Sequence, residues 1–159
     1  MMDIKSYRRG AVVFRQGDPG DCMYDIQWGS IGIFCDYGGP NEKKIAELMP
    51  TQIFGEMGLL DHAPRSATAV ALEKDTQLAV ITESDFYSYF EKNPAKVLML
   101  MQQMCGRLRR TTRDYLEACR TVHEVVEADK AGMKKNSRLL ESIKKFCELY
   151  RGFDYFAHS

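Results

Sequence analysis

The stretch FGEMGLLDHAPRSATAVA, residues 54–71, places a carboxylate, Glu56, nine positions before an arginine, Arg65. Glycines lie before and after the acid, and a proline precedes the arginine. One interpretation is a salt bridge at the protein surface, which would contribute roughly 0 to 1 kcal/mol. The other is a ligand that needs a cationic and an acidic contact at the same time.

The residue types around this pair suit a ligand with an anionic end and a hydroxyl end. The glycines let the backbone approach a ligand closely, and the two leucines that follow could form one helical turn whose free N–H groups point at an anion. Pro64 is expected to end that turn and to orient Arg65, whose guanidinium can make a bidentate phosphate contact that lysine cannot. Glu56, an acceptor only, suits a hydroxyl pair such as the edge of a ribose. A compact nucleotide meets both requirements.

The rest of the chain reads as strands followed by helices. Residues 11–82 consist of short apolar or alternating runs separated by turn residues, among them AVVF, CMYDIQ, SIGIFCDY, KKIAEL and TQLAVI. Such spacing predicts an antiparallel β-sandwich or barrel. From Glu83 the segment ESDFYSYFEK predicts a short helix, and Asn93-Pro94 supplies an N-cap and a first-turn proline for a second, longer helix.

The longer helix carries apolar or small residues spaced alternately by four and three, which is a heptad pattern. The pattern predicts a coiled-coil homodimer. The alternative is a helix that lies on its own sheet, but Leu98, Leu100, Cys105 and Leu116 lie off the heptad positions and could make that contact while the heptad residues face another chain. The heptad positions are Val97, Met101, Met104, Leu108, Thr111, Tyr115, Ala118, Val122 and Val125.

The heptad pattern weakens after residue 128. Asp129, Gly132 and Asn136 occupy three consecutive positions before apolar residues resume at Leu139. Glycine in a helix interior costs about 1 kcal/mol relative to alanine. We therefore expect the helix to break between residues 129 and 136, the alternative being one long helix with a polar section.

Two segments resemble the cyclic nucleotide-binding domain. YRRGAVVFRQGDPGDCMYDIQWG, residues 7–29, is similar to its glycine framework, and FGEMGLLDHAPRSATAV, residues 54–70, to its phosphate-binding cassette. The resemblance covers residues 7–128 and implies an eight-stranded jelly-roll β-barrel followed by C-terminal helices, a fold that is mainly β with α. It also implies cAMP or cGMP as the ligand, without a metal.

The resemblance also implies the binding residues. The cyclic phosphate would be held by Arg65, Glu56 would contact the ribose 2′-hydroxyl, and Gly55 would let the backbone approach the ligand closely. Backbone N–H groups near Met57, Gly58, Ser66 and Ala67 would complete the phosphate site.

A base contact is implied by the longer helix. QQMCGRLRRTTRDYLEA, residues 102–118, resembles the dimer helix of the catabolite activator protein family, in which a hydroxyl pair meets adenine. Thr111 and Thr112 occupy those positions, and Arg107 lies one turn before them. The alternative is that these threonines only fill heptad or surface positions. Because Ser66 and Thr111 could each serve either base, the choice between cAMP and cGMP stays open.

Charge divides the 159-residue chain near residue 91. Residues 1–90 carry 8 basic and 13 acidic side chains, a net charge of −5, and residues 91–159 carry 14 and 9, a net charge of +5. We predict a cyclic nucleotide-binding β-roll over residues 1–92, a capping and dimerisation helix over 93–128, and a C-terminal helical extension over 129–159.

We predict a cyclic mononucleotide receptor that couples ligand binding to rearrangement of its C-terminal helices and so to an unknown protein partner. The alternative is a transcription regulator of the catabolite activator type, which would contact DNA through a basic segment such as RLRRTTR, residues 107–113. The residues after the dimer helix are too few for a helix-turn-helix, so we expect no direct contact with DNA. A degenerate scaffold with an empty pocket is disfavoured because Glu56 and Arg65 are both present.

Other chemistry is not expected. The sequence contains no GxSxG elbow and no Cys–His arrangement, so we predict no enzyme activity. His62 and the pair His123 and Glu127 are interpreted as surface residues, which leaves no metal site. No signal peptide or apolar run of roughly 18 residues is found, which predicts a cytoplasmic protein with reduced thiols. The cysteines are Cys22, Cys35, Cys105, Cys119 and Cys147.

Overall fold

The computed structural model describes the backbone of residues 3–130 and the side chains of residues 3–124. The chain divides after Met101 into two compact units. The first unit contains all the described strands and two short helices, and a long helix begins within it. Within residues 3–130, no helix combines the length and the hydrophobicity needed to span a membrane.

In the described part of the chain, eight strands form two antiparallel four-stranded sheets. The first sheet has the strand order β1-β8-β3-β6, and the second has the order β2-β7-β4-β5. The predicted fold class, mainly β with C-terminal helices, is confirmed. The strands are β1 Asp3–Tyr7, β2 Val12–Phe14, β3 Cys22–Trp28, β4 Ile31–Cys35, β5 Lys43–Leu48, β6 Ile53–Phe54, β7 Thr68–Ala71 and β8 Thr76–Thr82.

Strand β3 explains how the core is built. Its side chains alternate between the two faces of the first sheet, and both faces are covered, so residues 22–26 are all buried. One face contributes to the interior cluster, which has members from both sheets and lies between them: Cys22, Tyr24, Ile26, Ile31, Leu48, Phe54, Ala69, Ala71, Leu78 and Val80. The other face contributes to the outer cluster: Met23, Ile53, Leu59, Ile81, Tyr89 and Leu100, with Phe86 and Phe90 packed against it.

Three α-helices lie within residues 3–130. Helix α1, Glu56–Asp61, follows β6; α2, Phe86–Lys92, follows a 3-10 turn at Glu83–Asp85; and α3 spans Pro94–Lys130. Asn93 precedes α3 as predicted, but its side-chain amide donates to Tyr89 O at 2.9 Å and so also closes the end of α2. The predicted break between residues 129 and 136 lies almost wholly outside the described residues.

A few apolar residues of α3 are buried, and many are exposed. Leu100 is 8% exposed and belongs to the outer cluster, whereas Leu98 and Leu116 are exposed. Of the non-heptad residues that could make the sheet contact, Leu100 therefore does so. Among the heptad positions, Ala118 is buried, and exposed fractions of 40–68% are found for Val97, Met101, Met104, Leu108, Tyr115 and Val122.

Candidate functional site

The turn from β6 into α1 depends on one glycine. Gly55 is the N-cap of α1 and has a φ of +73°, in the left-handed region that favours glycine. A Cβ at this position would also lie 2.8 Å from Arg65 Nη1. The helix ends at Asp61 because His62 adopts a φ of +55°. The prediction that Pro64 ends the turn is therefore wrong, since a left-handed residue stops it two positions earlier.

A second pair of glycines brings the β2–β3 loop against α1. A Cβ on Gly20 would lie 2.5 Å from Gly58 Cα, so the two backbones touch only because neither residue has a side chain. Two backbone hydrogen bonds tie the same loop to Arg65: its N–H donates to Asp18 O, and its carbonyl accepts from Gly17 N, both at 2.9 Å. Hydrogen bonds to Arg65 and the close contact with α1 therefore join the loop, α1 and the backbone of Arg65 into one frame.

Arg65 is a buried cation within this frame, with 4% of its surface exposed. Its Nη1 donates to Gly55 O at 2.7 Å, and its Nη2 lies 3.5 Å from Cys22 Sγ and 3.8 Å from an oxygen of the exposed Asp21. Its Cζ lies 4.4 Å from the ring centroid of Phe14. Its Nε is buried without a hydrogen-bond partner among the described residues. A buried donor left unsatisfied costs about 1–3 kcal/mol, so Nε favours a ligand that brings an acceptor.

Aromatic rings form the floor beneath the guanidinium. Phe14, Tyr24 and Phe54 lie with ring centroids 5.1–5.9 Å apart, and the Tyr24 and Phe54 rings stack. The Cys22 thiol donates to the Tyr24 hydroxyl at 3.3 Å. Burial raises the pKa of the Tyr24 phenol, which therefore stays neutral at physiological pH. The floor adds no negative charge that would compete with an anionic ligand for Arg65.

Sequence reasoning missed this floor. Phe14 ends β2, and Cys22 and Tyr24 occupy alternate inward positions of β3. The alternation of β3 is a signal that could have placed residues 22 and 24 on one face. No local pattern indicates that the face lies under Arg65.

The structure places the predicted cassette residues within the first unit. Glu56, the first residue of α1, is 1% exposed, and Arg65 is also buried, so a surface salt bridge between them is wrong. The other predicted contacts are the buried Gly58 and Ala67 and the exposed Met57 and Ser66.

The predicted base contacts belong to the second compact unit. Arg107, Thr111 and Thr112 are in α3, within the second unit. Their contact with a nucleotide base stays a prediction. His62 and His123 are exposed, and no group of three His, Cys, Asp or Glu side chains suited to a metal occurs in the described part of the chain.

Comparison with known proteins assigns the chain to a family. The sequence model of the cyclic nucleotide-binding domain matches residues 4–93, more than half of the chain. The chain belongs to this family. It is 37% identical to the cyclic AMP receptor protein of Thermus thermophilus over 103 residues, 65% of this chain and 47% of that protein. The predicted family and its ligand class, a cyclic nucleotide, are confirmed.

Solved structures of the same family agree with the fold. The Thermus thermophilus catabolite activator protein superposes with a TM-score of 0.63 at 27% identity, covering 95% of this chain and 76% of that one. The half-site-occupied form of the EAL enzyme Bd1971 has a TM-score of 0.53 at 32% identity, covering 70% of this chain and 99% of that one. The chain spans about half or less of the length of the curated relatives that it matches.

Proposed function

We propose that this cyclic nucleotide-binding domain is a receptor for cAMP or cGMP, in which Arg65 binds the cyclic phosphate and Glu56 the ribose 2′-hydroxyl. The observation that carries the proposal is the buried Arg65 guanidinium, whose Nε has no acceptor among the described residues. The name of the Thermus relative, a cyclic AMP receptor protein, supports cAMP as the first ligand to test.

The phosphate contact follows from the surroundings of Arg65. The first N–H groups of a helix have no acceptor within the helix, so the N–H groups of Met57 and Gly58 are available to a phosphate oxygen. Phe14 and Tyr24 exclude water from one side of the guanidinium, and a low local dielectric strengthens a charge-assisted hydrogen bond. An anionic ligand would also supply negative charge to the buried Arg65.

The sugar contact follows from the linkage between the two charged residues. Gly55 O accepts from Arg65 Nη1, and Glu56 is the next residue, so one short backbone segment positions both contacts. A ribose hydroxyl can donate to the Glu56 carboxylate while the phosphate of the same nucleotide meets Arg65. A ligand with only a phosphate or only a ribose hydroxyl would contact Arg65 or Glu56 but not both.

Isothermal titration calorimetry with a panel of cAMP, cGMP, linear 5′-AMP and cyclic dinucleotides tests this function. We expect one cyclic mononucleotide to bind each chain, and 5′-AMP to bind more weakly because its phosphate is not closed onto the sugar. Absence of heat with every cyclic nucleotide, in protein shown to be folded by circular dichroism, would contradict the proposal.

The receptor is further proposed to signal through its C-terminal helix rather than by catalysis. Ligand binding can shift an equilibrium between two arrangements of α3 only if the ligand has different affinities for them. Arg107, Thr111 and Thr112 are proposed to contact the base in the arrangement with the higher affinity. The partner that responds to this change is proposed to be a protein.

The base contact makes a prediction for Thr111 and Thr112. Replacing both by valine removes two hydroxyl groups at nearly constant shape, and binding of the preferred nucleotide should weaken by about 0.5–1.5 kcal/mol for each hydrogen bond lost. Calorimetry measures the change, with Thr121→Val as the control because Thr121 donates within α3, to Glu117 O. Equal affinities for the wild type and the double variant would show that the threonines do not touch the base.

Homodimerisation through residues 97–125 is proposed because apolar heptad residues of α3 are exposed. Tyr115, one of these positions, is 56% exposed. The substitution Tyr115→Asp would place like charges across the interface and should shift the light-scattering mass from dimer to monomer. Tyr87→Asp is the control, since Tyr87 is 84% exposed on α2. A dimeric mass for Tyr115→Asp would place the interface elsewhere.

A further inference from the structure

A buried polar cluster lies on the face of the first sheet opposite the interior cluster. Asp25, in β3, is 3% exposed, and its two carboxylate oxygens have different partners. Oδ1 accepts from Lys96 Nζ at 2.6 Å, and Oδ2 accepts from the Tyr89 hydroxyl at 2.7 Å. Lys96 Nζ also donates to Thr51 O at 2.9 Å. One carboxylate therefore connects β3 to α2 and to the first turn of α3.

The surroundings of this cluster make it costly to open. Tyr89 and the neighbouring apolar residues of the outer cluster cover the carboxylate, and the Lys96 side chain is 18% exposed. A charge that loses its partner in such a place is left desolvated and uncompensated. Burial, and then Asp25, raise the pKa of Tyr89, so its hydroxyl remains a donor. These contacts therefore resist separation of α2 and the first turn of α3 from the sheet.

The part of α3 that follows contains a glycine that weakens the helix. Leu100, one turn after Lys96, is the last α3 residue of the outer cluster, and the first compact unit ends at Met101. Gly106 is exposed in the helix interior, where glycine lowers helix stability relative to alanine. Lys96 and Leu100 attach α3 to the first sheet, and Gly106 weakens the helix shortly after them.

We propose that Asp25, Tyr89 and Lys96 form a latch that holds residues 94–100 against the first sheet both with and without ligand. Rearrangement of the C-terminal helix would then begin after Met101 rather than at the α2–α3 junction. The existence of the latch does not depend on the ligand, whereas the location of the rearrangement rests on the proposed function.

A double-mutant cycle read by NMR-detected amide exchange tests the latch without ligand. The probes are the amides of residues 98–100, and those of β3 and β8 report whether the fold is intact. Asp25→Asn and Lys96→Met should each speed exchange of residues 98–100 by about tenfold or more. The double variant should be no faster than the faster single variant, because both changes remove the same contact.

Two further variants keep the test decisive. Lys92→Met removes an exposed lysine from the end of α2 and should leave exchange of residues 98–100 unchanged. If either charge variant unfolds, Tyr89→Phe removes one hydroxyl only and should speed exchange by about threefold to tenfold. Additive effects in the cycle, or wild-type exchange in the single variants, would overturn the latch.

Addition of saturating cAMP tests where the helix changes. In the wild type, exchange should change for residues 102–110 and stay constant for residues 98–100, whereas in Lys96→Met the change should extend into residues 98–100. A ligand-dependent change at residues 98–100 of the wild type would overturn the proposed location. Failure of every cyclic nucleotide to bind would instead reject the proposed function, and the ligand-free cycle would still decide whether the latch exists.

Discussion

Arg65→Ala is expected to weaken binding of the preferred cyclic nucleotide by about 1.5–3 kcal/mol, the usual contribution of a hydrogen bond to a charged group. The wild-type guanidinium is buried on Phe14 and is held by Gly55 O, so it is in position before the ligand arrives. Alanine removes both the charge and the Nε donor that lacks an acceptor. Calorimetric titration at fixed salt measures the loss.

Two variants distinguish a direct contact between Arg65 and the ligand from a long-range effect of positive charge. Arg65→Lys keeps the charge but not the planar fork, so it should recover only part of the lost affinity. Arg15→Ala removes an exposed arginine that follows β2, and it should leave affinity nearly unchanged because exposed charges are screened. Unchanged affinity for Arg65→Ala would remove this residue from the site, and an equal loss for Arg15→Ala would indicate a long-range effect.

Gly20→Ala is expected to lower the free energy of unfolding by about 1–3 kcal/mol, the usual cost of forcing extra atoms into a packed site. The new Cβ would lie 2.5 Å from Gly58 Cα, 2.8 Å from Gly58 C and 2.9 Å from Ala63 O. All three are backbone atoms, which cannot rotate away as a side chain can. Denaturant unfolding followed by circular dichroism measures the change.

The same substitution should weaken nucleotide binding, because relief of the contact must move either the β2–β3 loop or α1. Gly106→Ala is the control: this glycine is exposed in α3, and alanine there should be neutral or stabilise the helix by up to about 1 kcal/mol. Wild-type stability and affinity for Gly20→Ala would show that the close backbone contact is not required.

Most strands and helices could be predicted from the sequence, because short apolar runs, turn residues and the Asn93-Pro94 pair act over a few positions. Strand β1, Asp3–Tyr7, was not predicted. It pairs with β8 alone at the edge of the first sheet, and its mostly exposed, polar residues carry little signal of burial. The end of α1 was misplaced because a left-handed histidine is less evident in a sequence than a proline.

The site could be predicted only in part. The cassette motif indicated Glu56 and Arg65, but it indicated neither the thiol beside the guanidinium nor the aromatic floor. Asp25 lies in the middle of the apolar run CMYDIQ, where a lone acid suggests an exposed position. Its burial is explained by Lys96 and Tyr89, which neutralise and bind it.

By itself, the sequence determined the alternation of strands, the start of the long helix and the acid–arginine pair of the cassette, because each depends on the conformation and chemistry of neighbouring residues. Only the tertiary structure decided which groups surround the two buried charges. Arg65 meets Cys22 across 43 positions of the chain, and Asp25 meets Lys96 across 71. Such partners are chosen by the packing of loops and helices against β3, which no local pattern records.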